Sequence, residues 1–136
     1  MSYQDAFITI APDSDAVEGV PPFTNRKKIP AHMIQFQLLT EQPYTLDHEE
    51  LVFEVYVRQK EIPAAELEQN RDRLWHEFHQ KGHACLRASA LTKKFGWGAH
   101  YNQKGKIALY SVNSAEYQQF VADEEIKKFP AMKKKR

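Results

Sequence analysis

The sequence predicts a single α+β domain in which three or four helices pack on a mainly antiparallel sheet, and three observations carry that prediction. WGAHY and KIALYS, separated by NQKG, form a hairpin pattern over 97–111. AAELEQNRDRLWHEFHQK, after Pro63, repeats its apolar residues at helical spacing. At 136 residues the chain suits one domain, whose folding buries roughly two-thirds of the surface exposed by the unfolded chain.

The hairpin is justified first because its register organises the rest. Gly105 suits the left-handed position after a type I turn, and pairing Asn102 with Lys106 sets the register. Trp97, Ala99, Tyr101, Ile107 and Leu109 then share one face, apolar enough to be the core side. Gly98, His100, Ala108 and Tyr110 share the other. A helix-rich arrangement with this hairpin as its only sheet is the main rival.

The remaining elements follow in chain order. AFITIA, from Ala6 to Ala11, alternates and is β-branched, so it predicts a short strand ended by Pro12. VEGVPPFTNRKKIP, from Val17 to Pro30, mixes one glycine and three prolines with charges and reads as coil. Ala31 to Glu41 forms a broad apolar helical stripe through Met33, Phe36, Leu38 and Leu39, closed by Pro43. The next helix is expected to begin near Asp47, whose capping side chain precedes Glu49 and Glu50 where acids complement the helix dipole. LVFEVYV inside it alternates like a strand, but acids at its start have no purpose in one.

The helix after Pro63 is expected to stop at Gly82, with Leu67, Leu74, Trp75 and Phe78 buried. A turn of helix over 90–95 takes Ser89 as cap and Gly96 as its left-handed end. Asn113 or Ser114 caps a further helix with a stripe of Tyr117, Phe120 and Val121, and Asn113 with Glu116 has capping-box spacing. IKKFPAM suits an edge strand. The domain is read as residues 1–132, with 133–136 a basic, disordered tail.

Composition narrows the function classes. The net charge of +1 conceals an uneven distribution, because KKFPAMKKKR at the carboxyl end holds six basic residues and leaves the rest at −5. An acidic body with a basic end differs from a dedicated nucleic-acid-binding domain, whose basic groups cover a folded face. The one cysteine, Cys85, precludes an internal disulfide, so a reducing, cytoplasmic setting is the expectation. No apolar run approaches the ~20 residues of a membrane span, and no secretory leader pattern is visible.

The densest chemistry lies in CLRASALTKKFGWGAHY, residues 85–101. Small Gly98 and Ala108 leave space beside His100 and Tyr110, which predicts a shallow pocket reached by Arg87 or Lys94. Arginine offers a forked donor to a carboxylate or phosphate, and histidine and tyrosine orient or protonate a ligand. The plainer reading makes Cys85 a small buried residue, Trp97 a core anchor and Ser89 a cap. A nucleophilic Cys85 would need a base, with His100 the obvious candidate. His76, His79 and His83 resemble metal ligands, but the helical spacing turns His76 and His79 to solvent and no second ligand pair is evident, so no metal and no cofactor are expected.

Taken together, Cys85-Leu86-Arg87 with Ser89, Leu91, Lys93 and Phe95-Gly96-Trp97-Gly98 with His100, then KIALY, and Ser114 with Glu116 and Tyr117, resemble a family of short bacterial proteins of unknown function over nearly the whole chain. Pro43, Tyr44 and the basic end agree with it as well. The resemblance implies no reaction, cofactor or partner. Ala90 stands where that family is expected to carry proline. The leading expectation is therefore binding of a small anionic or polar molecule at Arg87, Lys94, His100 and Tyr110. The alternatives are an interaction module touching nucleic acid through Lys127, Lys128, Lys133, Lys134, Lys135 and Arg136, and Cys85–His100 catalysis.

Overall fold

The hairpin forms in the expected register. In the computed structural model, which describes residues 3–25 and 27–134, Trp97 lies opposite Ser111 and Tyr101 opposite Ile107. Asn102 donates its amide to the Lys106 carbonyl and receives the Gly105 amide, while Gly105 adopts φ +78°. The strands are β1 (Ala6–Thr9), β2 (Trp97–Tyr101), β3 (Ile107–Ser111) and β4 (Lys127–Pro130), in sheet order β3-β2-β1-β4. β1 pairs antiparallel with β2 but parallel with β4, so the sheet is mixed. β4 is an edge strand, and its Pro130 is tolerated because an edge residue has no further ladder partner to supply.

Among the described residues five helices complete the α+β domain: α1 (Ala31–Glu41), α2 (His48–Gln59), α3 (Ala64–Phe78), α4 (Ala90–Lys93) and α5 (Ala115–Ala122), with a 3₁₀ turn at Leu86–Ala88. α2 settles the ambiguity of LVFEVYV. Asp47 accepts the Glu50 amide at 2.9 Å and Glu50 accepts the Asp47 amide at 3.0 Å, a complete capping box. The alternation arises because this helix is buried on two sides. Leu51 and Val55, four residues apart, face the main core with Ile8, Leu38, Tyr101 and Ile107. Phe53 and Val57 face a second cluster with Leu74 of α3. Two i,i+4 pairs offset by two residues read as period two in the sequence.

Two helix ends differ from expectation. α3 stops at Phe78, before Gly82, because the His83 ring folds back and its Nε2 lies 2.7 Å from the Phe78 carbonyl, satisfying a terminal acceptor. α5 is capped by Ser114, which accepts the Tyr117 amide at 3.1 Å. The Asn113–Glu116 box is not used, since Asn113 instead accepts the Ser111 hydroxyl.

Neither face of the hairpin is bare. Ala99, Tyr101 and Ile107 are fully buried on the α1/α2 side. On the other side, Phe7, Tyr117 and Phe120 cover Gly98, His100 and Tyr110. A Cβ on Gly98 would lie 2.5 Å from the Phe7 ring and 2.7 Å from Tyr117. The small residue makes room for two aromatic rings.

Candidate functional site

The sheet separates the residues that the sequence grouped. His100 and Tyr110 come together on the α5 face, joined by Tyr44, whose hydroxyl lies 2.8 Å from His100 Nδ1 and 2.8 Å from the Tyr110 hydroxyl. Phe120 stacks on the imidazole with ring centroids 4.0 Å apart. With the His100 hydrogen on Nε2, Tyr110 donates to Tyr44 and Tyr44 donates to Nδ1; with it on Nδ1, both bonds run the other way. Tyr44 holds this position at φ +58°, a left-handed conformation costly for a residue with a Cβ. Its amide bonds the Ile107 carbonyl and Leu46 accepts the Ile107 amide, so the loop straddles the outer edge of β3.

Burial holds His100 and, at the start of α2, His48 below the ordinary imidazole range. A depressed histidine contributes stability that is fully present above the unfolded value of about 6.5 and is lost as pH falls toward the folded value, because the unfolded chain takes up protons first. The urea midpoint is accordingly expected to be lower at pH 5.5 than at pH 7.5. His100→Gln should flatten part of that slope, and an unchanged slope would show that His100 carries none of it.

Arg87 and Cys85 lie on the opposite face of the sheet from His100. Arg87 donates from Nε to the Pro130 carbonyl at 2.8 Å, and its own carbonyl accepts the Met132 amide, so it anchors the chain beyond β4. Cys85 Sγ lies 3.9 Å from the Tyr3 hydroxyl, and the Tyr3 ring packs on Tyr101 and Phe129. Lys94 lies elsewhere again, in a cleft with Phe23, His32 and Phe95. Arg87, Lys94, His100 and Tyr110 therefore do not line one pocket, and Cys85 has no contact with His100. The physical reason is strand alternation: His100 and Tyr101 are neighbours in sequence but project to opposite faces.

What the structure does assemble around Cys85 is a cavity of about 430 Å³ between α1, α2, the end of α3 and the 85–90 segment. Its apolar wall is Val52, Val55, Tyr56 and Phe78, and the alanines Ala31, Ala84, Ala88 and Ala90 leave the space. His32, Gln35, Gln59, His83, Cys85 and Ser89 supply polar atoms. Ser89 both caps α4, through the Leu91 amide, and donates to Gln35 Oε1 at 2.7 Å. That leaves the Gln35 amide nitrogen as a donor on the wall. The His83 ring stacks on Phe78 at 3.9 Å, and its bond to the Phe78 carbonyl places hydrogen on Nε2, leaving Nδ1 an acceptor in the neutral form.

The histidine cluster needs correcting in detail. His76 is exposed, as the helical spacing requires. His79 is not turned to solvent: its side chain is only 13% exposed, packed on Trp75 and Phe78, with Nδ1 2.9 Å from Glu49. Trp75 and His79 are four residues apart, so burying one drew in the other. His83 is a cavity wall residue. Among the described residues no group of three or more His, Cys, Asp and Glu side chains is arranged to hold a metal ion.

The basic end is partly engaged. Lys128 donates from Nζ to the Asp123 carbonyl, and Lys134 binds Asp13 through its amide and Asp15 through its ammonium at 3.6 Å. Lys135 and Arg136 lie outside the described residues. Among the described residues no helix is long and apolar enough to cross a membrane.

A family model described as a family of unknown function, DUF6157, matches residues 1–136. The chain belongs to DUF6157. No curated protein and no solved structure matches it. For DUF6157, then, function has to be argued from this chain's own geometry. Neither Tyr44 nor Gln35 was singled out by sequence as a site residue, because neither lies in the 85–110 segment. The only signals were Tyr44's place after Pro43 and Gln35's polar interruption of an apolar helix stripe.

Proposed function

We propose that this DUF6157 domain binds a small molecule in the cavity beside Cys85, the bound species having an apolar body and a few hydrogen-bonding groups. The observation that carries this is the cavity's composition: four alanines and four larger apolar or aromatic side chains surround a convergent set of Gln35, His83, Cys85 and Ser89. Pockets for small ligands have this character, mostly apolar with a few placed polar groups. The volume suits a molecule of one or two rings. Gln35 donates, His83 Nδ1 accepts, and the Cys85 thiol meets the ligand's side. The reading keeps the small-molecule expectation and part of the 85–90 segment, and it replaces Arg87, Lys94, His100 and Tyr110 with Gln35, His83, Cys85 and Ser89.

A ligand-observed NMR screen of ring-containing fragments against the full chain tests it. Hits are expected for the unaltered protein and at least tenfold weaker for Ala88→Trp, which fills the cavity. Ala84→Phe, at an exposed position on the same wall, serves where Ala88→Trp lowers the thermal midpoint by more than a few degrees. Hits of equal strength in both folded variants would overturn the proposal.

A further inference from the structure

We propose that a second cavity, formed by the 27–29 loop with α1 and the end of α2, binds the phosphate chain of a small polyanionic molecule. The cavity encloses about 600 Å³ and is lined by Lys27, Lys28 and Arg58, with Gln37 and Gln59 as further polar groups and Ile29 and Ile34 as apolar ones. Three cations therefore face one space with a single carboxylate, Glu61, in the wall. No acidic side chain among the described residues forms an ion pair with any of the three. This concentration of positive charge stands out because the chain before its last ten residues carries a net −5. Three cations with one carboxylate between them repel one another, and an anion relieves that repulsion while accepting hydrogen bonds from the guanidinium and the ammonium groups.

The end of α2 points the negative pole of its dipole toward this region, which would oppose an anion if its carbonyls were open. They are occupied. Lys60, Glu61 and Ile62 donate their amides to Tyr56, Arg58 and Val57, a closure made possible by Glu61 at φ +51°. The charge facing the cavity is then chiefly that of Lys27, Lys28 and Arg58, against the one carboxylate of Glu61. A concave space of this size suits a diphosphate or triphosphate group better than the backbone of a long polymer. Gln59 lies in the wall of this cavity and of the one beside Cys85. A ligand with an anionic end and an apolar body could therefore span both, although the basic cavity is inferred independently of the first.

Inorganic pyrophosphate and tripolyphosphate are the probes, titrated into the full chain and followed by amide NMR shifts at 50 and 200 mM salt. The expected result is saturable shifts at 27–29, Gln37 and 58–61, weaker at the higher salt. Affinity should fall at least tenfold in Arg58→Glu and in the double variant Lys27→Glu, Lys28→Glu. Lys133→Glu should leave it unchanged. Binding unaffected by the cavity variants, or shifts confined to 127–134, would overturn the inference, as would the absence of binding. A single-stranded oligonucleotide that bound through the same residues more tightly than tripolyphosphate would also contradict it, since the site would then belong to a polymer. Because these probes lack an apolar body, their failure leaves the fragment screen standing, and failure of that screen leaves this titration standing.

Discussion

Gly96→Ala is expected to destabilise the domain by about 3 kcal/mol. Gly96 sits at φ +81°, where a Cβ costs about 1–2 kcal/mol. A Cβ there would also lie 2.2 Å from the Glu18 carbonyl oxygen, and because that atom is backbone it cannot swing aside. Relieving such overpacking typically costs about 1–3 kcal/mol more. The damage would spread, because this junction ties the 16–20 loop to the hairpin. Val20 donates to the Phe95 carbonyl, Trp97 Nε1 donates to Val20, and Gly19 donates to Ser111. Thermal melting should show a midpoint lower by about 10 °C for a domain of this size. Gly82→Ala is the control. A Cβ on Gly82 meets nothing within 4 Å, so that variant should be neutral or slightly stabilised. Equal losses in the two variants would contradict the steric account.

Phe53→Ala is the second large effect, expected at about 3–5 kcal/mol in urea unfolding. The Phe53 ring is fully buried and lies 5.0 Å from Trp75 and 5.9 Å from Phe78, with the Arg71 guanidinium over it at 5.3 Å. These contacts form the seam between α2 and α3. The sheet is built on a different cluster, so the loss should be uneven. Amide hydrogen exchange is expected to accelerate more in 64–78 than in β1 and β2. Phe78 and His83 belong both to the end of this seam and to the wall of the Cys85 cavity. Loosening α3 should therefore weaken fragment binding as well. Uniform acceleration across the sheet and α3 would show that the two clusters unfold as one.

Local chemistry made much of the fold legible. The hairpin register followed from Gly105 and its flanking alternation, the start of α2 from Asp47 with Glu50, and the start of α4 from Ser89. In each case the deciding bond spans only a few residues. The parallel pairing of β1 with β4 was not legible, because it joins strands about 120 residues apart and leaves no local pattern. The end of α3 differs from the sequence expectation for a related reason. Gly82 is a reasonable stop signal, but the bond from His83 to Phe78 ended the helix earlier.

The candidate site was legible only in part. The 85–90 segment was visible because polar and small residues crowd there, and it does form one wall of a cavity. The partners assigned to it came from the same stretch, whereas the fold supplies them from α1 and α2 and places His100 across the sheet. Small Gly98 suggests space for a ligand, whereas the aromatic rings of Phe7 and Tyr117 fill the space beside it. Proximity in sequence is a weak guide to proximity across a sheet, since neighbouring strand residues face opposite ways.

The most direct test of the cavity beside Cys85 is an amide and methyl NMR map of fragment binding, recorded on the unaltered full chain with whichever fragments bind best. Binding in the cavity should shift Ala31, Gln35, Val52, Val55, Ala84, Cys85 and Ala88 together, and leave His100, Tyr110 and 115–122 unmoved. Shifts centred instead on His100, Tyr44 and α5, or scattered over the surface without saturation, would contradict the assignment of the site to the α1/α2 face of the sheet.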